Sequence, residues 1–261
     1  MPAGVHLEFL GGGAAIVWLD RPEKRNAFDA SMIAALHLVF ERVAGDASIR
    51  ILGVRGRGAS FCAGADIEWM RAQGRASTAE NTEDALGLAR MLKALHDLPQ
   101  LSVALIEGPA LGGGAGLVAA CDMALACADA SFRFSEVRLG LTPATISPYV
   151  IEAIGPRAAR ALFASAEGFD AAHAMRIGLI SECLAGPAEM EARFAALQAL
   201  SVAAAPGAVR DAKALVRDVA GQPLDEALLQ ETARRIAQRR ADAEGREGLS
   251  AFLEKRKANW A

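Results

Sequence analysis

Short apolar runs alternate along the chain with longer stretches in which apolar residues recur every three to four positions. Val5–Leu10 and Ala14–Leu19 read as two strands joined at Gly11-Gly12-Gly13. Asp20–Asn26 is a polar loop. Asp29 or Ser31 can then cap a helix to about Val43, since Met32, Ala35, Leu36, Val39, Phe40 and Val43 share one face. Ile49–Gly56 is a strand, followed by a loop over Arg57–Asp66 and a helix from about Ile67. The polar stretch Gln73–Thr82 breaks the pattern and is a candidate mobile segment. A helix is expected over about Glu83–Asp97, then a buried strand at Leu101–Ile106. A small-residue helix leaves Gly112-Gly113-Gly114 and ends near Cys121, with short strands at Asp122–Ala126 and Ser131–Phe134.

This alternation of strands and helices implies right-handed crossovers and a core of parallel strands. Beyond Pro143 the pattern is nearly all helical. Starts are expected near Pro148, Pro156, Asp170, Pro187, Pro206 and Pro223, and Pro156, Pro206 and Pro223 suit first helical turns. The architecture read from the pattern is α/β, with a core over 1–200 and a helical module over 201–261.

Composition narrows the function classes. A hydrophobic content of 52% and a charged content of 23% describe a folded globular chain. A net charge of −3 gives no whole-molecule attraction to nucleic acid or anionic membranes. The late basic residues Arg234, Arg235, Arg239, Arg240, Lys255, Arg256 and Lys257 are interleaved with acids, as on a solvated helix face. Cys62, Cys121, Cys127 and Cys183 form no C-x-x-C pair and the histidines are scattered, so no metal site is expected. Reduced thiols and the lack of a signal-like start point to a cytoplasmic protein. No apolar run approaches the roughly 20 residues that span a bilayer.

Two loops share one physical design. Cys62-Ala63-Gly64-Ala65-Asp66 and Gly112-Gly113-Gly114 each leave a short buried strand and carry little side-chain bulk. Both allow a ligand close to the backbone. The helix start at Gly112 adds unpaired N–H groups and the positive end of a dipole, which suit an oxygen that gains negative charge. A plain tight turn accounts for the glycines equally well. A dinucleotide loop of the form G-x-G-x-x-G does not fit, because position 117 is Leu117.

Several motifs in order resemble the crotonase, or enoyl-CoA hydratase/isomerase, family. They are Asp20-Arg21-Pro22 with Asn26-Ala27, Phe61 through Ile67, Gly112-Gly113-Gly114 with Cys121-Asp122, Phe134-Ser135-Glu136-Val137 with Gly140 and Pro143, and Phe252 through Lys257. The resemblance covers nearly the whole chain. It implies a ββα spiral core with a C-terminal helical trimerisation module, and a homotrimer or dimer of trimers. It implies an oxyanion hole of two backbone N–H groups, mapped to Ala63 and Gly113, with Glu136 as catalytic acid/base. Coenzyme A contacts map to Lys24, Arg25, Ala27, Ala63, Gly64, Ala65, Asp66 and Ile67, with Phe252 and Lys255 reaching a neighbouring subunit's site. Coenzyme A enters as part of the substrate, and no separate cofactor is implied.

Two departures bear on the chemistry. Hydratases of the family use a second glutamate where this chain has Gly116, and glycine can neither place water nor move a proton. After Pro143 the chain runs Ala144-Thr145-Ile146-Ser147-Pro148-Tyr149, so Gly112, Gly116, Thr145, Ser147 and Tyr149 are candidate pocket residues. These features look most like the methylglutaconyl-CoA and isohexenylglutaconyl-CoA hydratase branch. The expected activity is hydration or dehydration of a branched 2-enoyl-CoA. A 3,2-enoyl-CoA isomerase, which needs one carboxylate, and a non-catalytic acyl-CoA-binding homologue stand as alternatives.

Overall fold

The computed structural model describes residues 4–260, so the outer ends of both expected segments, 1–3 and 261, lie outside the described residues. The first half runs β1 (Val5–Gly11), β2 (Ala14–Leu19), α1 (Ala30–Gly45), β3 (Ile51–Gly56), α2 (Ile67–Gln73), α3 (Thr78–His96), β4 (Leu101–Ile106), β5 (Pro109–Leu111) and α4 (Gly113–Ala120). Then come β6 (Met123–Cys127), β7 (Ser131–Arg133), α5 (Ser147–Ser165), β8 (Phe169–Asp170), α6 (Ala171–Ile177) and β9 (Glu182–Leu184). Four helices close the chain: α7 (Pro187–Ala203), α8 (Pro206–Val219), α9 (Glu226–Ala241) and α10 (Ala243–Leu253).

A six-stranded sheet in the order β1-β2-β3-β4-β6-β9 forms the backbone of the fold. Only the β1–β2 hairpin is antiparallel, and every later pairing in this sheet is parallel. Both faces are covered, which explains why β3 and β4 are apolar on alternate and adjacent positions alike, apart from Arg55 and Ser102. Ala15, Val17, Leu52, Val54, Ala104 and Ile106 pack toward Met32, Leu36, Phe40, Met91 and Leu95 of α1 and α3. Ile16, Ile51, Val103, Leu105 and Leu125 pack toward Met190, Phe194 and Leu197 of α7. A second sheet, β5-β7-β8, stands beside the first.

Four expectations need correction. Gln73–Thr82 is no open loop, because Ser77 and Glu80 form a capping box that starts α3 at Thr78, five residues ahead of Glu83. The region after Pro143 contains β8 and β9, strands too short for periodicity to reveal. Pro223 lies outside a helix, and Asp225 caps α9 instead. The boundary at residue 200 falls inside α7, whose buried face belongs to the core. Pro156 does open a helical half, since Gly155 at φ 73° interrupts α5 just before it. No described helix is long and apolar enough to cross a membrane.

Candidate active site

The loop over residues 20–28 is built around the buried Asn26. The Asn26 amide donates to the carbonyls of Arg57 and Ser60 at 2.9 and 2.8 Å, and its Oδ1 accepts from the Arg21 N–H at 2.9 Å. Two contacts gather the two small-residue loops. Cys62 N–H donates to the Pro109 carbonyl at 3.1 Å, and Leu111 N–H donates to the Cys62 carbonyl at 2.9 Å. On the other side, Phe28 N–H donates to the Gly64 carbonyl and Asp66 N–H to the Phe28 carbonyl, both at 2.7 Å. Burial pushes the Cys62 thiol between them up to about 12, so it is an inert packing group.

This geometry reassigns one expected donor. The Ala63 N–H donates to the Arg25 carbonyl at 3.0 Å and is spent inside the loop. Phe28 and Ala65 form a parallel bridge through Gly64 and Asp66, which turns the Ala65 N–H away from Phe28. Gly64, at φ 90°, interrupts the alternation between the two alanines. Among the described residues the Ala65 N–H has no acceptor. Gly113, the first residue of α4, also keeps a free N–H, as helix starts do. Gly112 before it sits at φ 49° and ψ −119°, a conformation that favours glycine.

Ala65 and Gly113 line one cavity of about 380 Å³, together with Gly64, Gly112, Phe28, Trp69, Glu136, Thr145 and Ile146. Glu136 opens a 3-10 turn (Glu136–Leu139) that follows β7. A Cβ on Gly112 would sit 3.1 Å from Glu136 Oε1, so the carboxyl lies against the glycine loop. It makes no ion pair with Arg133 or Arg138, and among the described residues its buried Oε2 has no partner. Burial raises the Glu136 carboxyl above its usual value, opposed by a hydrogen bond from its own N–H.

The expected pocket residues divide. Gly112 and Thr145 line the cavity. Gly116 does not, because it is buried under Ile146, whose Cγ2 would lie 2.3 Å from a Cβ placed there. Ser147 Oγ donates to the Ala144 carbonyl at 2.8 Å, and Tyr149 packs on His96 with ring centroids 5.3 Å apart. Neither lines the cavity.

A groove adjoins the cavity through Ala63, Ala65 and Met70, and is lined further by Lys24, Arg25, Ala27, Asp66, Ile67 and Arg71. Asp66 is structural within it. Its carboxylate caps α2 through Glu68 N–H at 2.9 Å and pairs with Arg21 at 3.2 Å and Lys24 at 2.9 Å. The Lys24 hydrogen bond, helped by the backbone N–H groups, holds the Asp66 carboxyl below its usual range against burial. Arg25 and Arg71 make no ion pair among the described residues. Arg71 is not legible in the sequence, because nothing marks which face of the seven-residue α2 meets the groove. Phe252 and Lys255 line neither opening of their own chain, and Phe252 is 80% exposed.

A pair of unspent backbone donors and the Glu136 carboxyl beside them share one cavity, an arrangement that suits an oxygen gaining negative charge. Comparison with known proteins gives this arrangement its family. The enoyl-CoA hydratase/isomerase family model matches residues 11–261. The chain is 31% identical to a crotonyl-CoA hydratase of Syntrophomonas wolfei over 94% of each protein. It is 32% identical to a 2,3-dehydroadipyl-CoA hydratase of Escherichia coli over 92% of each. The crystal structure of an enoyl-CoA hydratase from Shewanella pealeana superposes with a TM-score of 0.96 at 37% identity, covering 100% of this chain and 97% of that one. The protein belongs to the enoyl-CoA hydratase/isomerase family of enzymes and has the crotonase fold.

Proposed function

We propose that the protein adds water to, or removes it from, a 2-enoyl-CoA thioester through an enolate held by the N–H groups of Ala65 and Gly113. The observation that carries this reading is the partnerless, buried Glu136 Oε2 in the same cavity as two unspent backbone donors. Negative charge reaching the thioester oxygen meets donors already in place and the N-terminus of α4. Glu136, made more basic by burial, exchanges the proton at the α-carbon. Water is held by Glu136 itself and by the Thr145 hydroxyl. The groove takes coenzyme A, with Arg25 and Arg71 facing its phosphates and Ile67, 70% exposed, against its apolar portions. Leu88, Leu139, Leu141 and Ile146 offer an alkyl lining that suits a 3-methyl-branched acyl group. Exposed Val216, Leu229, Ile236, Phe252 and Leu253 on α8 to α10 support assembly as a homotrimer or a dimer of trimers.

One observation favours a second reading, isomerisation of a 3-enoyl-CoA. Ile146 fills the place of a second glutamate, and one carboxylate suffices to move a proton between two carbons. Turnover of 2-enoyl- and 3-enoyl-CoA substrates in ¹⁸O-labelled water, followed by mass spectrometry, separates the two. Label in a 3-hydroxyacyl product supports hydration. Double-bond migration without label supports isomerisation. No turnover of any such thioester overturns both.

A further inference from the structure

Asp84 reaches the same cavity from α3. Its Oδ1 accepts from the Trp69 indole N–H at 3.2 Å and its Oδ2 from the Gln73 amide. Both donors are neutral. Among the described residues no Lys, Arg or His pairs with Asp84, and none lines the cavity. The walls therefore carry two carboxyl groups, Glu136 and Asp84, and no cation. Lys24, Arg25 and Arg71 line the adjoining groove read as the coenzyme A site, and a separate opening of about 690 Å³ holds Arg133 and Arg176 but shares no lining residue with this cavity.

We infer that Asp84 determines acyl specificity, restricting the enzyme to uncharged acyl chains and rejecting chains that end in a carboxylate. The inference rests on the thioester reading above. A second anion admitted beside Asp84 would leave water for a partly apolar cavity with no opposite charge to meet, and like charges so placed repel strongly. A neutral chain loses little, and one carrying a hydroxyl can donate to the lone pairs that Trp69 and Gln73 leave free. This sets the chain apart from the methylglutaconyl-CoA branch that its motifs resemble, whose acyl groups end in a carboxylate, and the relatives divide, one named for a neutral acyl group and another for a dicarboxylic one.

Binding and turnover test this separately. The dissociation constants of butyryl-CoA and glutaryl-CoA, which need no chemistry, are measured by calorimetry on the full chain. Values of kcat/KM are measured for crotonyl-CoA and glutaconyl-CoA. In the wild type glutaryl-CoA should bind at least about tenfold more weakly than butyryl-CoA, with a matching bias in kcat/KM. Asp84→Asn keeps the size and an acceptor oxygen while removing the charge, and should narrow both ratios about fivefold or more. Equal or tighter binding of glutaryl-CoA by the wild type overturns the proposal, whether or not the variant folds, as does an unchanged ratio in a folded variant. Biased binding without turnover would overturn the hydratase reading and leave the role of Asp84 standing.

Discussion

Glu136 is held where it is useful and not where it is most comfortable. Burial raises its carboxyl above the free value of 4.5, so the fold favours the neutral form. That stability is fully present below the unfolded value and is lost as pH rises through the higher folded value. Glu136→Gln fixes a neutral side chain. Its melting temperature should exceed that of the wild type near about pH 8 and match it near about pH 4, while turnover falls about 10²–10⁴-fold. Thermal melts across pH and steady-state assays check the two halves, and an equal loss of stability at both pH values would contradict the assignment. Gly116 makes the complementary prediction. Gly116→Glu must drive a side chain into Ile146 and should destabilise by about 1–3 kcal/mol without gain in hydration. Adding Ile146→Gly should recover most of that loss in denaturant titrations. At this scale the sequence was legible as far as position goes, marking a glutamate, Glu136, that the structure brings into the cavity. It failed where hydrogen-bond direction decides: Ala63 and Ala65 flank one glycine, and only the left-handed turn at Gly64 separates the spent N–H from the free one.

At the scale of elements, caps matter more than propensity. Asp66 ends the loop that carries Ala65, starts α2 and neutralises Arg21 and Lys24. Asp66→Ala removes a cap usually worth about 0.5–2 kcal/mol and takes one carboxylate from Arg21 and Lys24, leaving them Asp29 and Glu68. It should lower both stability and kcat/KM, whereas Asp66→Asn, which keeps the cap, should recover much of the stability. Comparison of the two variants by melting and by kinetics separates capping from charge. At the start of α3 the sequence offered Ser77 and Glu80 at the right spacing, yet the polar run from Gln73 hid the signal. Long apolar strands and Pro- or Asp-started helices were readable because their cause is local. The strands β8 and β9 were not, because so short a segment is extended only through the neighbour it pairs with.

For the whole molecule, the covered parallel sheet fixes the two loops and leaves α8 to α10 with little to bury. Ala251 is the one described residue in those three helices that is fully buried, while Phe252 and Leu253 are 80% and 77% exposed. Sedimentation should therefore report three or six chains at working concentrations. Replacing Leu253 with Asp should shift that mass downward, and an unaltered mass would remove these side chains from the interface. The tail's helical nature was legible in its amphipathic period. Its partner surface was not, since apolar residues left outside one chain point outward without naming what they meet.

The contact between Gly116 and Ile146 has a consequence for descent. Neither position is free to change by itself: a larger residue at the first collides, and a smaller one at the second opens a void beside α4. Two sequences, one with glycine and isoleucine and one with glutamate and a small residue, are thus separated by intermediates that fold less well than either. A lineage that has settled on one side tends to stay there, and directed evolution toward two-carboxylate chemistry will have to alter both codons in the same step.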